Sequence, residues 1–370
     1  METLSALVQA LIIILFAGGF ALLAQWGRKN RSAEITLIVL LLALSSLVFV
    51  LGTMVALVGL SDMVPDSQLS RELSLSSAAV ILLASLTGFA LCVAPLRKIT
   101  GRRAAGNADT PKLNAGDLNI ATNPPSEERY AQLSRFSRGW YSDPPVYFAL
   151  WLLVVVLAER MVELLIFTQT PEVIESTFAA AGKLSPAAVV FSQLPFVVIA
   201  FLGVGLGVRR GFRQTLARLG YGPITLRQLG IVTLFIVGAL LLSFFANALF
   251  SNLQPELFER VGRISEGLFG TEGFSLVSTI LFALLVGVGA ALGEETLFRG
   301  ALQPAIGIPL TSVLWAFLHI QYGPSILLVF IFVLSIGLGI LRNRVNTTAT
   351  FLAHAGYNAS SVLLAYFFSV

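Results

Sequence analysis

The chain has 370 residues, of which 56% are hydrophobic and only 12% charged, and its mean hydropathy is +0.84. A soluble domain of this length carries about twice that share of charge to cover its surface, so a soluble globular protein is excluded. The net charge of +4 and pI near 9.4 fit basic residues gathered at membrane helix ends and give no reason to invoke nucleic acid. The single cysteine, Cys92, rules out an intrachain disulfide and a cysteine-built metal centre.

The apolar stretch from Leu4 to Trp26 opens the chain. It lacks a basic segment before it, is longer than the core of a cleaved signal, and is followed by Arg28, Lys29 and Arg31, so it is expected to be retained as a first span. Further apolar runs follow at 35–60, 74–95, 146–168, 187–207, 229–250, 275–299, 308–321, 325–341 and 349–369. Most have the roughly 20 residues that a bilayer crossing needs, and in hydrocarbon such runs must be helices. The short 308–321 run is expected to be tilted or partly re-entrant. The alternation over about 10 residues that marks an outer-membrane barrel is missing. The expected fold is all-α, a polytopic membrane helix bundle of about ten transmembrane helices.

The basic residues orient it. With the N-terminus outside, the cytoplasmic loops hold Arg28, Lys29, Arg31, the basic residues from Arg97 to Arg138, the group Arg209, Arg210, Arg213, Arg218 and Arg227, and finally Arg342 and Arg344. The outer loops hold only Arg71, Lys183, Arg260 and Arg263. This obeys the positive-inside rule and places both termini outside an inner, prokaryotic-type cell membrane.

Residues 97–144 are rich in Asn, Asp, Pro, Ser, Arg and Gly and read as a flexible cytoplasmic linker. The linker divides a three-span module (1–96) from a seven-span module (145–370), with the chemical core at about 229–370. The acidic and basic residues of 251–274 recur at helical spacing, as in an amphipathic surface piece. Arg160 and Glu163 are spaced to pair as a structural contact within a span. Gly203, Gly205 and Gly207 lie in a predicted span and read as close helix packing rather than phosphate binding. Trp26, Trp140, Tyr141 and Trp151 read as an interfacial aromatic belt.

Both histidines, His319 and His354, lie in late apolar runs, where ionisable groups are costly and usually face a cavity or one another. Near them is Glu294-Glu295-Thr296-Leu297-Phe298-Arg299. Glu295 and Arg299 stand four apart with the acid first, the favourable order for a same-face ion pair. Glu294 lies about 100° round an α-helix and is left without a local partner, which suits it to general-base work near neutral pH. Trp315 stands four before His319, and Asn358 four after His354 on the same face. Gly356 between them admits a close neighbour. Counted along their helices, Glu294 and His354 each lie about 8 Å from the cytoplasmic end, and His319 about 16 Å from Ile308, so the three can meet in the cytoplasmic half of the bilayer.

This series of Glu-Glu-x-x-x-Arg, aromatic-x-x-x-His and His-x-x-x-Asn, each on a membrane helix, resembles the CAAX protease and bacteriocin-processing (CPBP, or Abi) family, whose eukaryotic members are type II CAAX prenyl proteases. The resemblance covers roughly 275–358, with Trp315 standing where Phe is common. It implies an intramembrane endopeptidase, often called a metalloprotease, acting on peptide or protein substrates in the bilayer, CAAX-type or otherwise lipidated. It implies that Glu294 activates a water, supported by Glu295 and Arg299; that His319 binds that water or a metal; and that His354 and Asn358 stabilise the oxyanion. Glu294, His319 and His354 are the residues that would hold zinc or another divalent metal. The residues fit a metal-free glutamate mechanism equally well, and no His-Glu-x-x-His is present. Two other functions use the same buried groups: a proton-coupled carrier, for which paired broken helices in two matching halves are missing, and a non-catalytic membrane scaffold.

Overall fold

The computed structural model describes residues 2–61, 71–104 and 142–368. Among these residues the regular elements are helical, and the one β feature is an isolated bridge between Leu206 and Arg210. Helices α1 (Glu2–Ile13) and α2 (Gly19–Gly27) are joined through a π-helical turn, Ile14–Gly18, into the first predicted span. Helix α3 (Arg31–Leu60) starts at Asn30, whose side chain accepts from Ser32 N at 2.9 Å and so satisfies a donor at the helix start. Helix α4 (Arg71–Ala104) completes the N-terminal group. This helix runs through Pro95 to Ala104, into the first residues of the expected linker; residues 105–141, the rest of that segment but for its last three residues, with Trp140 and Tyr141, lie outside the described residues.

Helix α5 (Pro144–Gln169) is followed by the short α6 (Pro171–Ala181), then α7 (Pro186–Gly203), α8 (Phe212–Leu219), α9 (Leu226–Leu253) and the short α10 (Pro255–Phe269). Helix α11 (Leu276–Glu294) passes into a π-helical segment, Glu295–Leu302, and on into α12 (Gln303–Phe317). A 3-10 turn (Ile320–Tyr322), α13 (Ile326–Arg344) and α14 (Thr347–Phe368) end the fold. Among the described residues seven stretches are long and apolar enough to cross a membrane: 4–27, 31–60, 71–93, 186–203, 226–253, 276–317 and 326–344. Helices α5 and α14 have the length to cross, 26 and 22 residues, but carry polar groups. Large apolar side chains stand outward along the bundle, such as Leu226, Leu234, Phe244 and Phe245 on α9, as expected where lipid rather than water is the solvent. The protein is an all-α polytopic membrane bundle.

The N-terminal helices pack on the rest through α5 and α7. Tyr147, Phe148 and Trp151 enter one core with Ala21, Ala24, Leu37, Ile38, Leu41 and Cys92. Trp151 is buried and donates its indole N–H to Ser45 Oγ at 3.0 Å, so it is a core residue and not part of an interfacial belt. Trp26, by contrast, is exposed. Arg160 pairs with Glu163 at 2.6 Å, as its spacing predicted, and also with Glu159 at 3.0 Å. The predicted span at 187–207 stops at Gly203, because Gly205 and Gly207 adopt positive φ (98° and 76°) in a turn that an α-helix cannot continue.

The expected surface helix within 251–274 is α10. Its apolar face (Val261, Ile264, Leu268) packs with Phe167 and Phe250. Its Arg260 and Arg263 reach Glu175 of α6, at 3.1 and 2.6 Å. The hydrogen bond from Arg263 holds the Glu175 carboxyl below the usual carboxylate range.

Candidate active site

The site begins with a reversal of the chain. Glu294 and Trp315 are 21 residues apart, which along one straight helix would separate them by about 30 Å, yet the Trp315 indole N–H donates to Glu294 Oε2 at 2.5 Å. The chain turns back at Gly307, whose φ of 84° and ψ of 169° break α12. The returning limb, 308–317, is about 15 Å of helix, half of the roughly 30 Å hydrocarbon core. The short predicted span is therefore a short limb followed by irregular backbone. Such backbone is tolerated at membrane depth only where protein or a cavity surrounds it, and here Tyr322 and Ile326 pack into the core beneath α10. His319 sits at that break, as the residue before the 3-10 turn.

Trp315 is the hub. Fully buried, it holds His319 with ring centroids 4.7 Å apart and meets the His354 ring edge-on at 5.5 Å. The Arg299 guanidinium lies 5.8 Å from its ring centroid. The indole was expected to buttress His319 and does so. Glu294, without a local partner on its own helix, gains one from across the reversal, because a buried indole N–H seeks an acceptor and Glu294 supplies it.

Glu295 and Arg299 face each other as their spacing predicted, with Arg299 Nε 3.5 Å from Glu295 Oε2 and both side chains fully buried. The segment that carries them is π-helical, a form common where a helix is adapted for function. Two partners were not legible in the spacing. The other oxygen of Glu295 meets His354 Nδ1 at 3.0 Å, across 59 residues of sequence. Arg299 donates to Ser335 Oγ on α13 at 2.7 Å. An ionised carboxylate only accepts, so His354 Nδ1 is the donor, and the ring's orientation is set from behind by Glu295. By the same reasoning His319 Nδ1 donates to the Trp315 carbonyl at 2.8 Å. Each ring is left with Nε2 as its working atom.

Asn358 is partly buried on α14, one turn beyond His354, and its amide makes no hydrogen bond among the described residues. Helix α14 comes close to α11 because Gly287 lets the Ala355 carbonyl approach; a Cβ there would lie 2.6 Å from that oxygen. The neighbour admitted by Gly356 is Ile236 of α9. The ends of these helices nearest α8 are clamped by the turn that follows it. Tyr221 Oη and Thr296 Oγ1 are 2.5 Å apart, beside Glu295, and Thr347 Oγ1 donates to the Leu219 carbonyl at 2.6 Å.

The structure thus brings Glu294, Arg299, His319 and His354 round one indole, with Glu295 joined to Arg299 and His354. No three His, Cys, Asp or Glu side chains among the described residues converge as ligands. Glu295 is spent on Arg299 and His354, and one Glu294 oxygen on Trp315.

Residues 276–360 match the family model described as type II CAAX prenyl endopeptidase, Rce1-like. The matched segment runs from the first turn of α11 into α14 and contains Glu294, Glu295, Arg299, Trp315, His319, Ser335, His354 and Asn358. No curated protein and no solved structure matches the chain.

Proposed function

This chain belongs, through residues 276–360, to the CAAX protease and bacteriocin-processing family of membrane proteases, and from that premise we propose that it is an intramembrane endopeptidase that cleaves membrane-associated peptides with Glu294 as general base. The observation that carries this reading is the Trp315 hub. A single indole fixes Glu294 through one carboxylate oxygen and packs on both histidines, leaving Glu294 Oε1 and the two Nε2 atoms for the reacting groups.

In the proposed reaction a water donates one O–H to Glu294 Oε1 and the other to His319 Nε2, which holds a lone pair because Nδ1 carries the proton. Glu294 takes the first proton as the water oxygen attacks the scissile carbonyl carbon. The carbonyl oxygen becomes an oxyanion, stabilised by the Asn358 amide, which donates without titrating, and by His354 in its protonated form, with Glu295 as counter-ion. Glu294 then passes its proton to the leaving nitrogen, the C–N bond breaks, and a carboxylic acid and an amine are released. Glu295 and Arg299 act through His354 and the helix fold, as positioning residues. Substrates are peptide segments at or in the bilayer, lipidated ones included.

The test is cleavage of a library of membrane-anchored peptides by the full chain in liposomes. Cleavage is expected, and it should persist under chelation in a preparation shown to hold no bound metal. Activity abolished by a chelator and restored by zinc would reverse the reading of the donor set. A folded wild-type protein that cleaves nothing would leave a scaffold or carrier in place of the protease.

The same reading places the site toward the cytoplasm, with both chain ends outside, and assigns 1–96 to a separate three-span module that packs on α5. Cysteines introduced within 105–141 should then resist a membrane-impermeant reagent applied to intact cells. The native Cys92 is fully buried and should stay silent. Ready labelling of that loop from outside inverts the topology.

A further inference from the structure

Four membrane helices end together on one side of the bundle: α2 at Gly27, α3 at Arg31, α5 at Pro144 and α7 at Gly203. Their ends are laced to one another. Gln25 donates its amide to the Gly203 carbonyl, and Arg28 forks onto Asp143, with Nε 2.7 Å from Oδ1. The turn after α7 folds back, so that Arg210 donates to the Val204 carbonyl and Arg209 Nη1 lies 3.5 Å from Gln25 Oε1.

This turn gathers positive charge where two parts of the chain meet. Arg28 comes from the N-terminal spans, Arg209 and Arg210 from the end of α7. Asp143 is engaged by Arg28, and Glu34, the other carboxylate at these ends, is buried against Gly27. Neither Arg209 nor Arg210 forms an ion pair or hydrogen bond with a carboxylate among the described residues, and Arg209 feels Asp143 only at longer range. Burial, with the charges of Arg28 and Arg210, pushes the Arg209 guanidinium down from its ordinary value, and burial with Arg28 does the same to Arg210. Among the described residues three guanidinium groups thus crowd round one carboxylate, Asp143, which Arg28 already engages. Two exposed aromatic side chains flank them: Trp26 at the end of α2, and Phe212, whose ring lies 5.9 Å from that of Phe201. Aromatic rings beside a basic cluster at span ends mark the headgroup level of a bilayer.

We propose that the cleft formed by Arg28, Arg209 and Arg210 binds the phosphate of an anionic phospholipid headgroup, which ties the N-terminal spans to α7. Phosphate matches paired guanidinium forks, and the span ends put the cleft where lipid phosphates lie. The tie bears on the site as well, since Phe196 of α7 packs edge-on against Phe298 of the π-helical segment at 5.9 Å.

The test uses the full chain in neutral detergent, with thermal unfolding followed as phosphatidylglycerol, phosphatidylcholine or inorganic phosphate is added. Phosphatidylglycerol should raise Tm over phosphatidylcholine by on the order of 3 °C, and less at high ionic strength. The double variant Arg209→Gln/Arg210→Gln should lose most of that rise. Arg227→Gln, an exposed arginine at the start of α9, should keep it, which separates a built cleft from general surface charge. Should the double variant not fold, Arg209→Gln alone is held to the same criterion. Three results overturn the proposal: a wild type indifferent to the anionic lipid, an arginine variant with the full rise, or a rise given equally by inorganic phosphate alone, which assigns the cleft to a soluble ligand.

Discussion

The polar groups buried in the N-terminal spans and those buried in residues 276–360 differ in kind. In the first region they are mostly small hydroxyls, Ser45, Ser74, Ser77 and Ser85, with Gln25 and, near a helix end, Glu34. Hydroxyls of that sort bond locally or to the next helix, as Ser85 Oγ does to the Ser45 carbonyl at 2.8 Å. In the second region Glu295, Arg299 and His354 are buried together, with Ser335 closing the network. Hydroxyls in a membrane interior act as modest glue between helices, whereas ionisable groups there are costly and are kept where a site uses them. One region reads as a support and the other as chemistry, although both contain strongly apolar spans.

Arg299→Ala should have the largest effect on folding. It strands the buried Glu295 carboxylate, and loss of one partner from a buried pair costs about 3–5 kcal/mol. Thermal unfolding in detergent checks it, and an unchanged Tm would show that the pair carries no stability. Asn358→Ala is the complementary case. Its amide has no hydrogen-bond partner to lose among the described residues, so Tm should hold while cleavage falls by roughly 10²–10³, the size of one missing oxyanion donor. A fall in Tm with no specific loss of turnover would make Asn358 interhelical glue.

Trp151→Phe probes the other region. It removes the hydrogen bond to Ser45 and should cost about 1 kcal/mol of stability, with cleavage per folded molecule unchanged. A selective loss of cleavage would break the division between support and site. The smallest effect belongs to Arg263→Gln on the exposed α10, where salt screens the pair with Glu175. Because the Glu175 carboxyl is depressed in the folded protein, the pair's contribution is present at neutral pH and is lost as pH falls through its folded value. Wild type and variant should therefore converge in Tm in acid, and a difference that grows there would reverse the sign.

The apolar runs made the helices legible, and the spacing of Glu295 and Arg299 made their pairing legible. What remained hidden is tertiary. Uniformly apolar spans carry little facial pattern, so the sequence does not say which side meets which neighbour. Gly307-Ile308-Pro309 signals a break, but not that the chain folds back to bring Trp315 onto Glu294. The Glu295–His354 contact spans 59 residues and follows from no periodicity. Trp151 was misread because position near a predicted span end stood in for burial.

The central claim is that Glu294 activates water at the Trp315 hub. Glu294→Gln keeps the side chain's size and its ability to accept from the indole, but removes the base. In liposomes, against a peptide that the wild type cleaves, the variant should fold with an unchanged Tm and lose turnover by at least 10²–10⁴-fold. Cleavage by the folded variant at a rate near that of wild type would contradict the account.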